Sequence, residues 1–171
     1  PYTKELLAAF EPAGRTPQKV SAEDKKTPIL EVSNLYAGYG TIRNGEPAAK
    51  ILENVNFRLE RGRNLGVIGE SGSGKSTLAR AVAGILPPYK GSVLMDGHEL
   101  KPDLASRSKE DLRRAQIVFQ LADTALNPGH SIANIIGRPL TFYHGLRGKA
   151  RDARVIELLD MVHLPANMRH R

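Results

Sequence analysis

The sequence predicts an α/β fold organised around a phosphate-binding loop, and three neighbouring observations carry that prediction. Residues 69–77 read GESGSGKST, the apolar, strand-like run LGVI at 65–68 precedes them, and the helix-forming run TLARAVA at 77–83 follows. Gly69, four residues, then Gly74, Lys75 and Ser76 complete a P-loop pattern. Strand, glycine loop and helix come in the order that a phosphate cradle requires.

Gly69, Gly72 and Gly74 permit positive φ and let the backbone approach an anion without Cβ clashes, so that successive N–H groups can point into one concavity. The expected phosphate-binding surface is therefore Gly69, Glu70, Ser71, Gly72, Ser73, Gly74, Lys75, Ser76 and Thr77. A helix opening near Gly74 adds its orphan N–H groups and the positive end of its dipole. Lys75 supplies a mobile point charge for the β- and γ-phosphates, and Ser76 a hydroxyl for Mg²⁺. The plain alternative, a flexible Gly/Ser connection, leaves the flanking strand and helix patterns unexplained.

With 171 residues the chain suffices for one domain with a real core and is too short for two full nucleotide-binding domains. Apolar residues make up 40% and no stretch approaches a membrane span; together with the lack of a leader-like start, this predicts a soluble, unexported chain. It contains no cysteine, which excludes a disulfide framework and thiol-based metal or redox chemistry. The net charge of +7 raises the question of nucleic acid or an anionic membrane surface. The basic clusters at 107–114 and 147–154 nevertheless contain Glu110, Asp111 and Asp152 and have no interleaved aromatics, so they read as solvated helix faces and no nucleic-acid partner is expected.

Along the chain, residues 1–12 (PYTKELLAAFEP) form a short helix-like segment ended by Pro12, and residues 13–28 form a polar, proline-bearing linker, so the globular part is expected from Ile29. Residues 29–36 and 51–59 alternate with period two and read as strands joined by the loop TIRNGEPAAK. The P-loop helix is expected from Lys75 to near Leu86, stopped by Pro87 and Pro88. A hairpin should turn at Asp96-Gly97, and Ser108 with Asp111 should cap a short basic helix ending at Arg114. Residues 115–119, apolar at both parities, read as a strand covered on both faces. From Ser131 the period becomes helical, first with Ile132, Ile135 and Ile136 up to Pro139, then with Val155, Leu158, Leu159 and Val162. The five histidines show no metal spacing and read as surface residues.

Together these pieces resemble the first half of an ATP-binding-cassette (ABC) transporter ATPase from Ile29 to Arg171. Phe119-Gln120, followed by Leu126-Asn127-Pro128, is similar to the Q-loop region of the dipeptide/oligopeptide class. The resemblance implies a P-loop NTPase core with an antiparallel β subdomain and the start of a helical subdomain from about residue 126, incomplete at the C-terminus. It implies ATP and Mg²⁺ as cofactors, and catalytic roles for Lys75 and for Gln120, whose amide would touch Mg²⁺ and the attacking water. Leu121 and Ala122 follow the glutamine where the family commonly has an acid and a proline, a departure that falls in the loop that contacts the membrane subunit in the family. Taken alone, Gln120 would be an ordinary strand-end glutamine. Tyr39 fits the family's adenine-stacking aromatic, with Tyr36 as its rival and a strand-end anchor as the plain reading.

Residues 1–12 are similar to the tail that closes oligopeptide-class ATPase domains, which implies a tandem protein whose second cassette starts after the linker; a disordered, tag-like tail is the alternative. The family's LSGGQ signature, Walker B aspartate, catalytic glutamate and switch histidine would all follow Arg171. Because the Walker B strand lies inside the family's sheet, apolar edges are expected to stay open, and residues 1–171 alone are expected to be poorly soluble or molten.

The implied function is the energy-coupling ATPase of an importer for peptides or similar small solutes, on the cytoplasmic face of the inner membrane. Its partners would be transmembrane permease subunits, a second nucleotide-binding domain and, indirectly, a periplasmic solute-binding protein. The solute stays open among peptides, opines, glutathione-like compounds and metal chelates. Two other readings stand beside it: a non-transport ABC protein acting on ribosomes or DNA, and a nucleotide-binding half-domain without turnover.

Overall fold

The structure, a computed structural model, describes residues 27–120 and 126–171. The expected tail at 1–12 and most of the linker lie outside the described residues, as do Leu121 and Ala122. The chain divides into two units, one ending at Pro102 and one spanning Asp103–Arg171.

In the first unit, β1 (Leu30–Arg43) and β2 (Glu46–Leu59) run antiparallel, and β3 (Lys90–Met95) and β4 (His98–Glu99) extend the sheet in the order β2-β1-β3-β4. The loop expected at 41–50 is instead strand on both sides of a two-residue turn. Asn44 and Gly45 carry φ of 52° and 82°, the geometry that matches the twist of paired strands. Asp96 and Gly97 repeat it at φ 50° and 76°, as the sequence predicts. β1 pairs with β3 only from Leu30 to Tyr36, but with β2 as far as Arg43, so beyond Tyr36 it runs in a two-stranded ribbon.

Asparagine suits a strand poorly, yet Asn34, Asn54 and Asn56 stand together where the β1–β2 register shifts. Asn34 and Asn54 adopt φ of 49° and 53°. The Asn56 side chain satisfies the displaced backbone: its Oδ1 accepts from Asn34 N–H at 2.8 Å and its Nδ2 donates to the Asn54 carbonyl at 2.8 Å. The bulge is a built irregularity of the kind that bends and twists a strand.

Helix α1 (Lys75–Ala83) lies on this sheet. Val32, Leu35, Ala37, Leu52, Ala81, Val93 and Leu100 form the buried core, with Leu78, Val82 and Leu86 packed against it. The helix ends at Ala83, not near Leu86, because Gly84 at φ 80° takes the left-handed cap and donates to the Ala81 and Arg80 carbonyls, which stops the helix before the proline pair is reached.

Two predicted strands are not formed. Residues 65–68 and 115–119 have no ladder partner among the described residues, and Ile68 and Val118 are 95% and 96% exposed. An apolar run signals a buried strand only where neighbouring strands cover it, and no described strand pairs with either run.

The second unit begins with the turn Leu104–Ser106 and α2 (Lys109–Arg114). Ser108 caps α2 in a complete capping box with Asp111, as its sequence predicts. Helix α3 (Ile132–His144) does not stop at Pro139 but runs through it to Gly145, which caps it at φ 67°. Packing overrides the proline: Leu140, beyond it, is buried with Val155 and Leu159 of α4 (Gly148–Met161). Val162, expected on the buried face, falls just past α4 and is 61% exposed. All five histidines are exposed. No helix among the described residues is long and apolar enough to cross a membrane.

Candidate functional site

Residues 69–74 cross from the extended run 65–68 into α1. Gly72 and Gly74 take φ of 84° and 93°, a region that an L side chain enters only at a steric cost. Gly74 is also crowded: a Cβ there would stand 3.1 Å from Leu52 Cδ2 and 3.3 Å from Ile51 Cγ2. Glycine thus lets the helix start tight against β2.

Gly74 is the N-cap, and no side chain caps α1. The first intrahelical bond is Leu78 N–H to the Gly74 carbonyl at 2.8 Å, which leaves the N–H groups of Lys75, Ser76 and Thr77 as orphan donors. The Lys75 ammonium donates to the carbonyls of Gly69 at 2.9 Å and Glu70 at 2.6 Å, and to Ser73 Oγ at 3.3 Å. It therefore lies over the loop with the uncapped helix start beside it, a concentration of donors and positive potential suited to a polyanion. The loop residues 69–73 and Ser76 are exposed, whereas Thr77 is buried.

Tyr39, opposite Ala49 in the two-stranded ribbon, reaches α1. Its hydroxyl stands 3.4 Å from Thr77 Oγ1 and accepts from Arg80 at 3.3 Å. These hydrogen bonds, with Thr77 first, hold the Tyr39 phenol below its ordinary pKa despite a small opposing effect of burial. Tyr39 is 38% exposed. Tyr36 is engaged elsewhere, its ring 6.0 Å from that of Tyr89 and under the Lys90 ammonium at 4.9 Å. Sequence reasoning passed over Arg80. Its signal was the three-residue spacing from Thr77, which puts both side chains on one helix face.

Gln120 belongs to the second unit, where it is exposed at the end of the unpaired run 116–119. Among the described residues no group of His, Cys, Asp or Glu is placed to hold a metal ion by itself.

A family model described as ABC transporter matches residues 52–171. A protein of Brucella abortus (strain 2308) named for peptide import and ATP binding is 36% identical over 154 residues, 88% of this chain and 46% of that protein. The dipeptide transport ATP-binding protein DppF of Haemophilus influenzae is 36% identical over 83% of this chain and 44% of its own length. The putrescine export system ATP-binding protein SapF of Escherichia coli is 36% identical over 80% of this chain and 50% of its own length. The chain thus spans about half the length of the curated relatives it matches. Among solved structures, the ATP-binding cassette MJ0796, a dimer bound to ADP and Pi, superposes with a TM-score of 0.61 at 26% identity, over 83% of this chain and 60% of that one.

Proposed function

From the premise that the chain belongs to the ABC transporter family, we propose that it is the nucleotide-gripping part of an ATP-binding and ATP-hydrolysing subunit that energises import of peptides or similar small solutes. The observation that carries this reading is the uncapped start of α1 directly after a glycine loop, with Lys75 folded over that loop. Residues 69–77 would hold the phosphates, the loop amides and Lys75 neutralising the charge that develops in phosphoryl transfer. Tyr39 would stack on adenine.

The donor set fits Mg²⁺ in the usual way for nucleotide enzymes. The Ser76 hydroxyl, exposed at the start of α1, is a hard oxygen donor of the kind Mg²⁺ takes, and phosphate oxygens and water would supply its other ligands. Bound there, the ion would offset phosphate charge. Gln120 would orient water as a neutral amide that is not itself a base.

We assign residues 1–12 to the tail of a preceding cassette, 13–28 to a linker, and 29–171 to the N-terminal half of a nucleotide-binding domain whose helical subdomain starts near 126. The signature, Walker B and switch segments would lie in the part of the relatives that this chain does not span. Partners would be membrane permease subunits and a second nucleotide-binding domain, at the cytoplasmic face of the cell membrane. The dimeric state of the MJ0796 cassette supports the second of these. Arg113, Arg151 and Arg154 pair with Glu110, Asp152 and Glu157, which supports reading the basic clusters as solvated faces and not as a nucleic-acid surface.

The name of the SapF relative favours a second reading, export of a small cation by the same motor. Assembled with its permease in lipid vesicles, the full-length protein should hydrolyse MgATP faster when peptide and binding protein are present. Stimulation by putrescine inside the vesicle, and none by peptide, would replace import with export. MgATP affinity unchanged by Lys75→Ala would end both readings.

A further inference from the structure

The hydroxyl of Tyr39 meets α1 on the face where Thr77 and Arg80 lie one turn apart, with Thr77 Oγ1 at 3.4 Å and the Arg80 guanidinium at 3.3 Å. Thr77 is buried, and it directly follows Ser76 at the start of the same helix. Tyr39 itself lies in the two-stranded part of the sheet, where β1 has no β3 beside it. Its ring would otherwise be free to turn about two side-chain torsions on a ribbon that is supported from one side.

We propose that Thr77 and Arg80 are positioning residues for nucleotide binding: they fix the Tyr39 ring relative to α1, so that one helix sets both the phosphate end and the base end of the bound nucleotide. This rests on the proposed ATP-binding role of the P-loop and of Tyr39. The phenol can donate to Thr77 Oγ1 while accepting from Arg80, so both of its hydrogen-bonding capacities are used and the ring plane is held from its far end. A stacking platform contributes most when its orientation is fixed before the base arrives, because the ordering cost is then met in the free protein. The lowered phenol pKa agrees with this arrangement, since Thr77, whose hydroxyl can turn to donate when the phenol proton leaves, and Arg80 both favour the ionised oxygen.

The test is a double-mutant cycle on the full-length protein, with equilibrium binding of MgATP and of magnesium tripolyphosphate, which offers phosphates but no base. Tyr39→Phe keeps the ring and removes the hydroxyl, and Arg80→Met removes the guanidinium while keeping the stem. Each should raise the Kd for MgATP about three- to tenfold, the range expected for losing a hydrogen bond or two. The double variant should be no worse than the worse single one, because both remove the same link. Tripolyphosphate affinity should stay unchanged in all three. The proposal is overturned if Tyr39→Ala weakens MgATP binding while Tyr39→Phe and Arg80→Met do not, an outcome that leaves stacking intact without the brace. Parallel loss of tripolyphosphate binding, or additive effects on MgATP, would also overturn it. A Lys75→Ala control that binds both ligands as tightly as the unmodified protein would instead remove the P-loop reading, and the brace with it.

Discussion

A Cβ at Gly91 would stand 2.1 Å from the carbonyl oxygen of Asn34. Gly91, the second residue of β3, takes φ 92° beside the bulge where Asn34 turns out of the β1–β2 register. The obstacle is backbone, which cannot swing aside as a side chain tip can. Gly91→Ala should therefore destabilise the protein by more than about 3 kcal/mol, combining a disfavoured φ with a clash against a strand. Urea unfolding followed by circular dichroism measures this, and a loss below about 1 kcal/mol would show that the strands separate more easily than the register implies.

Asn56 serves the same bulge from the opposite strand. Asn56→Ala strips the partner from Asn34 N–H and from the Asn54 carbonyl, and because the site is exposed, water replaces part of what is lost. The expected cost is about 1 kcal/mol. Amide hydrogen exchange at Asn34 should speed up in this variant while that at Val32, two residues away, stays slow.

In the second unit Leu159 is 1% exposed and packs with Leu140 and Val155. Leu159→Ala should cost roughly 2–5 kcal/mol, as large-to-small core changes do. Ser108→Ala, by removing the capping box of α2, should cost about 1 kcal/mol. Thermal denaturation of the two variants should therefore rank Leu159→Ala well below Ser108→Ala.

The Tyr39 phenol, with its pKa lowered by Thr77 and Arg80, should ionise at lower pH than an ordinary tyrosine. A depressed folded-state pKa means that the unfolded chain holds its proton longer. This group's contribution to stability is thus complete above the unfolded value and lost as pH falls through the folded value. Absorbance at the tyrosinate band should show an early step that Tyr39→Phe removes and Arg80→Met moves to higher pH. An early step that survives in Tyr39→Phe belongs to another tyrosine.

What the sequence made legible was local chemistry. Turns at Asp96-Gly97, the Ser108 cap and the start of α1 each depend on residues within a few positions of one another, and each formed where its residues pointed. Residues 65–68 and 115–119 did not form strands because an apolar run says only that cover would be favourable, and cover depends on chain elsewhere. Pro139 misled for the opposite reason: a local stop signal was overridden by the burial of Leu140 one residue on. In the candidate site, the glycine loop was readable because what it requires, positive φ at Gly72 and Gly74, is local backbone geometry. Arg80 was legible only as the helix-face neighbour of Thr77, because its contact with Tyr39 joins residues 41 positions apart.

Beyond Tyr36 the paired strands β1 and β2 continue alone to the turn at Asn44-Gly45. Mechanically this is a beam clamped at one end, and the thermal deflection of such a beam grows steeply with distance from the clamp. Tyr39 stands three residues out, near the root, where the sway is small. Lengthening the ribbon at its tip should leave the ring almost undisturbed, whereas one residue inserted between Tyr36 and Tyr39 would carry the ring outward and to the other face of the strand.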